Sequence, residues 1–221
     1  MKNTILVLGL ISSVNIAAGD IHKTTIIPDK TVLGKVRKLD IVDKLYLTGK
    51  DFFQKKDYAA ARKKWTEAIS IEMKNNPPRR KQLTILYYNL GRISFIEGKY
   101  NVAEDKLNIA LSYFQIKDYN DNFPIYLYDE LSNTYQCTGQ YKKGLKYALL
   151  ALELQKKKHG YNNVWTGAYS VGVAVMYHRL KNKPMAIKYM RMAIDIFRKF
   201  PDKKKEAERL SRHLKKWTSA D

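Results

Sequence analysis

Small, large and polar positions recur in the same order four times between residues 41 and 200. Each copy begins with a small residue, which is Gly49, Gly91, Ser132 or Ala174. After a turn come two more small positions: first Ala61, Ala103, Gly144 and Ala186, and then Ala68, Ala110, Ala151 and Ala193. The last four alanines are 42, 41 and 42 residues apart. Such a constant register predicts one structural unit repeated along the chain.

Large side chains occupy the positions between the small ones. Two helices approach closely where small residues meet, so we expect Gly49 to face Ala61 and Ala68 to receive the next unit. Large residues should then fill the holes between these contacts: Phe52, Tyr58, Trp65, Leu90, Tyr100, Leu107, Leu131, Tyr135 and Tyr177. Gly98 and Gly139 fall at the turns inside two units, where a residue with positive φ ends a helix at low cost.

In these residues the chain resembles the tetratricopeptide repeat (TPR) family, whose units are pairs of antiparallel helices. The resemblance implies an all-α fold, in which four helix pairs over residues 41–200 form a right-handed superhelical array. Residues 151–165, ALELQKKKHGYNNVW, resemble the linker of the longer repeats found in kinesin light chain and its bacterial relatives. In residues 201–221, Ala207, Leu210, Leu214 and Trp217 recur at helical spacing and predict a capping helix.

The N-terminal residues 1–19 have the layout of a secretory signal peptide. Lys2 precedes an apolar run from Ile5 to Ile11, and small residues follow at positions 17–19. The run is shorter than the roughly 20 residues that span a bilayer, so we expect export to the periplasm or secretion and no transmembrane segment. The alternative is an N-terminal strand or helix of a cytoplasmic protein. Residues 20–40, which lead into the repeats, show no clear periodicity.

The sequence is strongly basic and contains a single cysteine. The chain has 41 lysines and arginines against 21 aspartates and glutamates, a net charge of +20. Cys137 is the single cysteine, so an internal disulfide is excluded, although a reactive or intermolecular thiol is not. Runs of two or three adjacent cations include Arg62–Lys64, Arg79–Lys81, Lys142–Lys143, Lys156–Lys158 and Lys203–Lys205.

These basic runs have two interpretations. The simpler one is solubility. The alternative is a surface that contacts a polyanion, such as an anionic envelope polymer, acidic lipid or nucleic acid. Nucleic acid is the least favoured of these, because the chain lacks a recognised nucleic-acid fold and a base-stacking platform, and because export argues against it.

Catalytic and cofactor motifs are absent from the sequence. It contains no phosphate-binding glycine loop, no HExxH, no cysteine cluster and no GxSxG, and its four histidines are scattered. We therefore predict a non-catalytic protein without a cofactor or a metal site.

The resemblance also implies a concave groove, formed by the first helix of each pair, that binds an extended or helical protein segment. The family pattern places these residues on it: Tyr46, Lys50, Phe53, Tyr88, Asn89, Arg92, Phe95, Tyr126, Asn133, Gln136 and His178. The cationic side chains of Lys50 and Arg92 can bind a carboxylate, so an acidic or C-terminal segment is the expected partner. The alternative for each aromatic residue is packing between helices.

Chaperone-binding members of the family hold a terminal carboxylate in a clamp of Lys, Asn and Arg. Lys50 and Asn89 match two of its positions, but Tyr46 replaces a clamp lysine, and Asp129 and Glu130 add negative charge. The clamp is incomplete.

Overall fold

The computed structural model describes residues 40–219. The predicted signal peptide, nearly all of the 20–40 segment and the last two residues lie outside the described part. Within it the chain is helical, with these bounds: α1 Ile41–Gln54, α2 Tyr58–Glu72, α3 Arg80–Ile96, α4 Tyr100–Tyr113, α5 Phe123–Cys137, α6 Tyr141–His159, α7 Val164–Arg179, α8 Lys183–Phe197 and α9 Lys204–Ser219. Short 3₁₀ turns cover Ile116–Asp118 and Pro201–Lys203.

The described residues fall into two compact units, 40–147 and 148–219. We call them the N-terminal and the C-terminal unit and describe each by itself. In the N-terminal unit α1 packs on α2, α3 on both α2 and α4, and α5 on both α3 and α4. In the C-terminal unit α8 packs on both α7 and α9. The predicted all-α fold of helix pairs is confirmed.

Helix boundaries follow the sequence pattern closely. The second helix of each pair begins at Tyr58, Tyr100, Tyr141 or Lys183, the position that follows each predicted turn. Asp57 caps α2 by accepting a hydrogen bond from the Ala60 amide, 3.0 Å away. The predicted turn glycines both have positive φ, 73° at Gly98 and 76° at Gly139.

The small residues are buried, and the atoms nearest to Gly49 belong to a large side chain. A Cβ atom on Gly49 would first meet the indole ring of Trp65 rather than Ala61. At the equivalent place in the second repeat, Gly91 lies against Leu107, and a Cβ atom there would also lie 3.4 Å from the carbonyl oxygen of Ala103, the counterpart of Ala61. Each glycine therefore leaves space for a large side chain of the second helix, which is why the pattern alternates small and large residues.

The C-terminal unit has its own apolar core. Met190, Ile194 and Phe197 of α8 pack with α7 and with Ala207 and Leu210 of α9. Leu214 and Trp217 of α9 lie against the edge of this core. The predicted capping helix is therefore confirmed, and the four apolar residues that predicted it are those that contact the repeat.

Candidate protein-binding face

Ten of the predicted groove residues lie in the N-terminal unit, on the first helices of its pairs. Tyr46, Lys50 and Phe53 belong to α1; Tyr88, Asn89, Arg92 and Phe95 to α3; Tyr126, Asn133 and Gln136 to α5. We call this set, together with Asp129 and Glu130 of α5, the first-helix face. His178 lies on α7 of the C-terminal unit.

Arg92 is the centre of the first-helix face. Its side chain is only 2% exposed. The guanidinium carbon lies 4.9 Å from the ring centroid of Phe53 and 5.6 Å from that of Tyr88. Cation–π contacts of this kind gain strength when water is excluded. Arg92 thus joins α1 to α3.

Glu130 supplies a negative charge close to Arg92. It is 3% exposed, and burial raises the pKa of its carboxyl, while the positive charge of Arg92 opposes that shift. A buried guanidinium normally requires such a counter-charge. The predicted binding of a partner carboxylate by Arg92 remains a prediction, but the chain already provides a carboxylate there.

Asp129 directly precedes Glu130 in the sequence and is half-buried. Burial and the neighbouring Glu130 raise the pKa of Asp129 to about 7, and a hydrogen bond with Asn133 opposes the shift. Asp129 falls three residues after Tyr126 and four before Asn133, so helical spacing alone would have placed it on the same face. The sequence interpretation noted its charge but left it out of the predicted site.

Tyr46 and Lys50 are half-buried on α1. Burial raises the pKa of Tyr46 to about 12, although Arg92 opposes the shift. Burial lowers the pKa of Lys50, and the charge of Asp51 opposes this. Both residues combine an accessible part with a desolvated environment, which is typical of residues that contribute to binding.

The rest of the face divides by burial. Tyr88, Asn89 and Gln136 are buried, whereas Phe95 and Tyr126 are half-buried. The Asn89 side-chain amide donates to the Ile85 carbonyl, 2.9 Å away in its own helix. Tyr88 packs edge-on against Phe123 with ring centroids 5.0 Å apart, so its ring contributes to packing between helices.

His178 has a different environment. Its imidazole stacks on the Trp217 indole of the capping helix, with centroids 4.1 Å apart and planes 6° from parallel. Burial lowers the pKa of His178, and the neighbouring Arg179 lowers it further. The sequence analysis placed His178 on the predicted groove and gave no sign of this contact, since the two residues are far apart in the chain.

One of the basic runs has a structural role that the sequence did not reveal. Arg79 donates to the buried Glu72 carboxylate from its backbone amide at 2.6 Å and from Nε at 2.9 Å. Its Nη1 also lies 2.7 Å from Asp40, which caps α1. Lys81 donates to the Asp118 carbonyl at 2.9 Å. These cations fix the segments around α3 rather than forming a free surface.

The described residues contain neither a metal-binding cluster nor a membrane-spanning helix. No group of three or more His, Cys, Asp or Glu side chains among them is arranged to hold a metal ion. No helix within residues 40–219 has the length and apolarity that a membrane span needs.

The helix pairs define the class of fold, and comparisons with known proteins agree. Residues 125–199 match the model of the tetratricopeptide repeat family. No curated protein matches the sequence significantly. Among solved structures, nearly identical TPR-like repeats of Podosopora anserina, assigned to a kinesin light chain, are 15% identical with a TM-score of 0.60, covering 81% of this chain and 97% of theirs.

Two other solved structures show the same fold. BtubC (BKLC) from P. vanneervenii is 13% identical with a TM-score of 0.60, covering 80% of this chain and 76% of its own. A chain of the APC/C hetero-tetramer Cut9–Hcn1 is 16% identical with a TM-score of 0.58, covering 81% of this chain and 30% of its own. The TPR-like fold is generally a non-catalytic scaffold that mediates protein–protein interactions.

Proposed function

We propose that this chain is a non-catalytic scaffold that binds an extended or helical protein segment on the first-helix face of its N-terminal unit. The observation that carries this proposal is the set of half-buried aromatic and polar side chains on that face: Tyr46, Lys50, Phe53, Phe95, Tyr126 and Asn133. Aromatic residues with an accessible edge bury apolar side chains of a partner, and the amide and ammonium groups hydrogen-bond its backbone or carboxylates.

The partner we propose is an acidic or C-terminal segment. A net charge of +20 attracts acidic partners over a long range. Lys50 offers a half-buried cation on the face. Asp129 is the local exception, but its raised pKa of about 7 means that much of it is protonated near neutral pH. Its repulsion of an acidic segment is therefore weaker than that of an ordinary aspartate.

We also propose that the protein is exported, to the periplasm or by secretion, and that its four units are repeats of the long type. The layout of residues 1–19 supports export. The spacing of 42, 41 and 42 residues between the final alanines supports the long repeat. Fractionation of cells that express the chain with and without residues 1–19 tests the location, and recovery of both forms from the cytoplasm would contradict it.

The binding face is tested by a triple variant that keeps the core intact. Lys50→Ala, Tyr126→Ala and Asn133→Ala remove half-buried side chains and spare the buried Arg92 and Tyr88. The matched control changes the same residue types at exposed positions: Lys63→Ala, Asn101→Ala and Tyr161→Ala.

Partners are cross-linked in the native cell and quantified by mass spectrometry. We expect at least one partner whose recovery falls about tenfold in the triple variant, which corresponds to about 1.4 kcal/mol, and is unchanged in the control. Equal recovery with both variants would show that the first-helix face is not the binding site.

A second candidate function is polyanion binding through the basic surface. Between residues 148 and 219 there are 17 lysines and arginines against 5 aspartates and glutamates. An anionic envelope polymer, acidic lipid or nucleic acid are the candidate ligands, with nucleic acid the least favoured. Binding to heparin should weaken roughly tenfold or more between 50 and 200 mM salt if several contacts form. Flat salt dependence would exclude this candidate.

A further inference from the structure

A row of cations lies on the solvent side of the capping helix α9. Lys205, Arg209, Arg212 and Lys216 are spaced four, three and four residues apart, so they project from one side of the helix. Lys205, Arg212 and Lys216 are exposed, and Arg209 is half-buried beside Glu206. We call these four residues the α9 row.

The apolar side of α9 faces the opposite way. Ala207 and Leu210 are buried in the core of the C-terminal unit, with Leu214 and Trp217 at its edge. Because packing fixes that side on α7 and α8, the helix cannot rotate to hide its charges. The α9 row is therefore held toward solvent by the same contacts that cap the repeat.

The exposed cations of the α9 row differ from those around α3. Arg79 binds Glu72, and Arg62 forms a 2.7 Å ion pair with Glu97. Within residues 40–219, Lys205, Arg212 and Lys216 form no ion pair or side-chain hydrogen bond. Their charges are available to an external ligand.

The α9 row also concentrates like charges. Burial lowers the pKa of His213, and the nearby charges of Arg209, Lys216 and Arg212 lower it further, so these cations lie close together. Like charges one helical turn apart destabilise a helix in isolation. An anionic surface would relieve this repulsion.

The geometry points to a planar ligand. From Lys205 to Lys216 the row extends roughly 16 Å along a straight helix, at 1.5 Å per residue. A flat anionic surface can contact all four side chains at once. The Trp217 ring is stacked on His178, which leaves no free aromatic platform on the row for the bases of a single-stranded nucleic acid.

We propose that the C-terminal unit binds the surface of an anionic lipid bilayer through the α9 row. The contact is peripheral, because the apolar side of α9 is occupied by the core. The proposal deepens the second candidate function above and rests on it. The protein-binding role of the first-helix face is independent of it.

The test uses the full chain and large vesicles of phosphatidylcholine, with or without about one third phosphatidylglycerol. The variant Lys205→Glu, Arg212→Glu, Lys216→Glu reverses the exposed cations of the row. The matched control, Lys63→Glu, Lys74→Glu, Lys117→Glu, changes the net charge equally at exposed positions of the N-terminal unit. Circular dichroism checks that both variants keep their helix content, and alanine versions replace any that does not.

We expect the wild type to sediment with the anionic vesicles only. The row variant should lose at least about tenfold in partition, and the control less than about threefold. Equal losses in the two variants would show that net charge alone acts and would overturn the assignment to α9. Binding of heparin or duplex DNA without binding of vesicles would overturn the lipid proposal and leave polyanion binding intact. Binding to none of these ligands would refute both.

Discussion

The indole ring of Trp65 fills the space that a side chain on Gly49 would need. A Cβ atom on Gly49 would lie 2.6 Å from Cδ1 of Trp65, closer than real contacts allow. The indole Nε1 donates to the Tyr46 carbonyl at 3.1 Å, which fixes the ring against α1. Gly91 stands in the same relation to Leu107 in the second repeat, where a Cβ atom on Gly91 would lie 2.7 Å from Cγ of Leu107.

Gly91→Ala should destabilise the protein although alanine favours helices. The added methyl group collides with Leu107, and overpacking of a core costs about 1–3 kcal/mol, more than the gain in helix propensity of up to about 1 kcal/mol. We expect a lower urea midpoint, followed by circular dichroism.

Gly172→Ala is the matched control. Gly172 also lies inside a helix, but a Cβ atom there meets nothing within 4 Å. This variant should gain roughly 0.5–1 kcal/mol from helix propensity. A Gly91→Ala protein as stable as Gly172→Ala would contradict the close contact between α3 and α4.

The helix pairs could be predicted from sequence because their signal is local and repeated. Gly49, Gly91, Ala61 and Ala103 recur at one spacing, and Gly49 and Gly91 each pack against a large side chain of the second helix of their pair. The exact neighbour of Gly49 could not be predicted, because a helix presents Ala61 and Trp65 on adjacent turns. Choosing between them requires the crossing geometry of the two helices.

The candidate site was less predictable. Arg92 is buried and Lys50 is half-buried, yet both are cations at corresponding places in the family pattern. The contacts that bury Arg92 come from Phe53 and Glu130 on two other helices. Such long-range contacts leave no trace in local spacing, and the same is true of the ion pair between Arg79 and Asp40, which are 39 residues apart in sequence.

Arg79→Ala should destabilise the N-terminal unit. Glu72 is 0% exposed and accepts three hydrogen bonds from Arg79, one of which comes from the backbone and survives the substitution. Breaking a fully buried ion pair costs roughly 3–5 kcal/mol, and we expect a smaller loss here because the Arg79 side chain is 30% exposed to solvent. Urea unfolding near neutral pH measures the loss. Lys63→Ala, which removes an exposed cation of α2, should change stability little.

The effect of Arg79 should depend on pH. Burial alone would raise the pKa of Glu72, but the hydrogen bonds and charge of Arg79 lower it below 4.5 overall. The contribution of the Arg79–Glu72 pair to the free energy of unfolding is therefore fully present above pH 4.5, and it is lost as the pH falls through the lowered pKa of Glu72. The difference between wild type and Arg79→Ala should shrink in acid. A difference that stayed constant from neutral pH to pH 3 would rule out the ion pair as its cause.

Asp129→Asn should stabilise the protein at alkaline pH. Burial and Glu130 raise the pKa of Asp129 from 3.8 to about 7, so the folded state holds a proton that the unfolded state releases. Stability consequently falls as the pH rises from 3.8 to 7 and stays low above that range. A shift of this size corresponds to up to about 4 kcal/mol.

Urea unfolding between pH 4 and pH 8 checks this expectation. The two proteins should have similar stability near pH 4, and the variant should be more stable at pH 8. Asp105→Asn, an exposed substitution on α4, serves as the control and should follow the wild type at both pH values. If Asp129→Asn were less stable than the wild type at pH 8, the carboxylate would be a stabilising group and its proposed environment would be wrong.

Protonation of His178 should quench the fluorescence of Trp217, because the two rings are stacked with centroids 4.1 Å apart and an imidazolium quenches an adjacent indole. Burial and the charge of Arg179 lower the pKa of His178, so the transition should have its midpoint below pH 6.5. The difference in fluorescence between wild type and Trp217→Phe isolates this indole from the other two tryptophans. His178→Gln should abolish the transition, while His213→Gln, on α9 itself, should leave it unchanged. A transition that followed His213 instead would contradict the stacking of Trp217 on His178, because His213 lies one helical turn before Trp217 on α9.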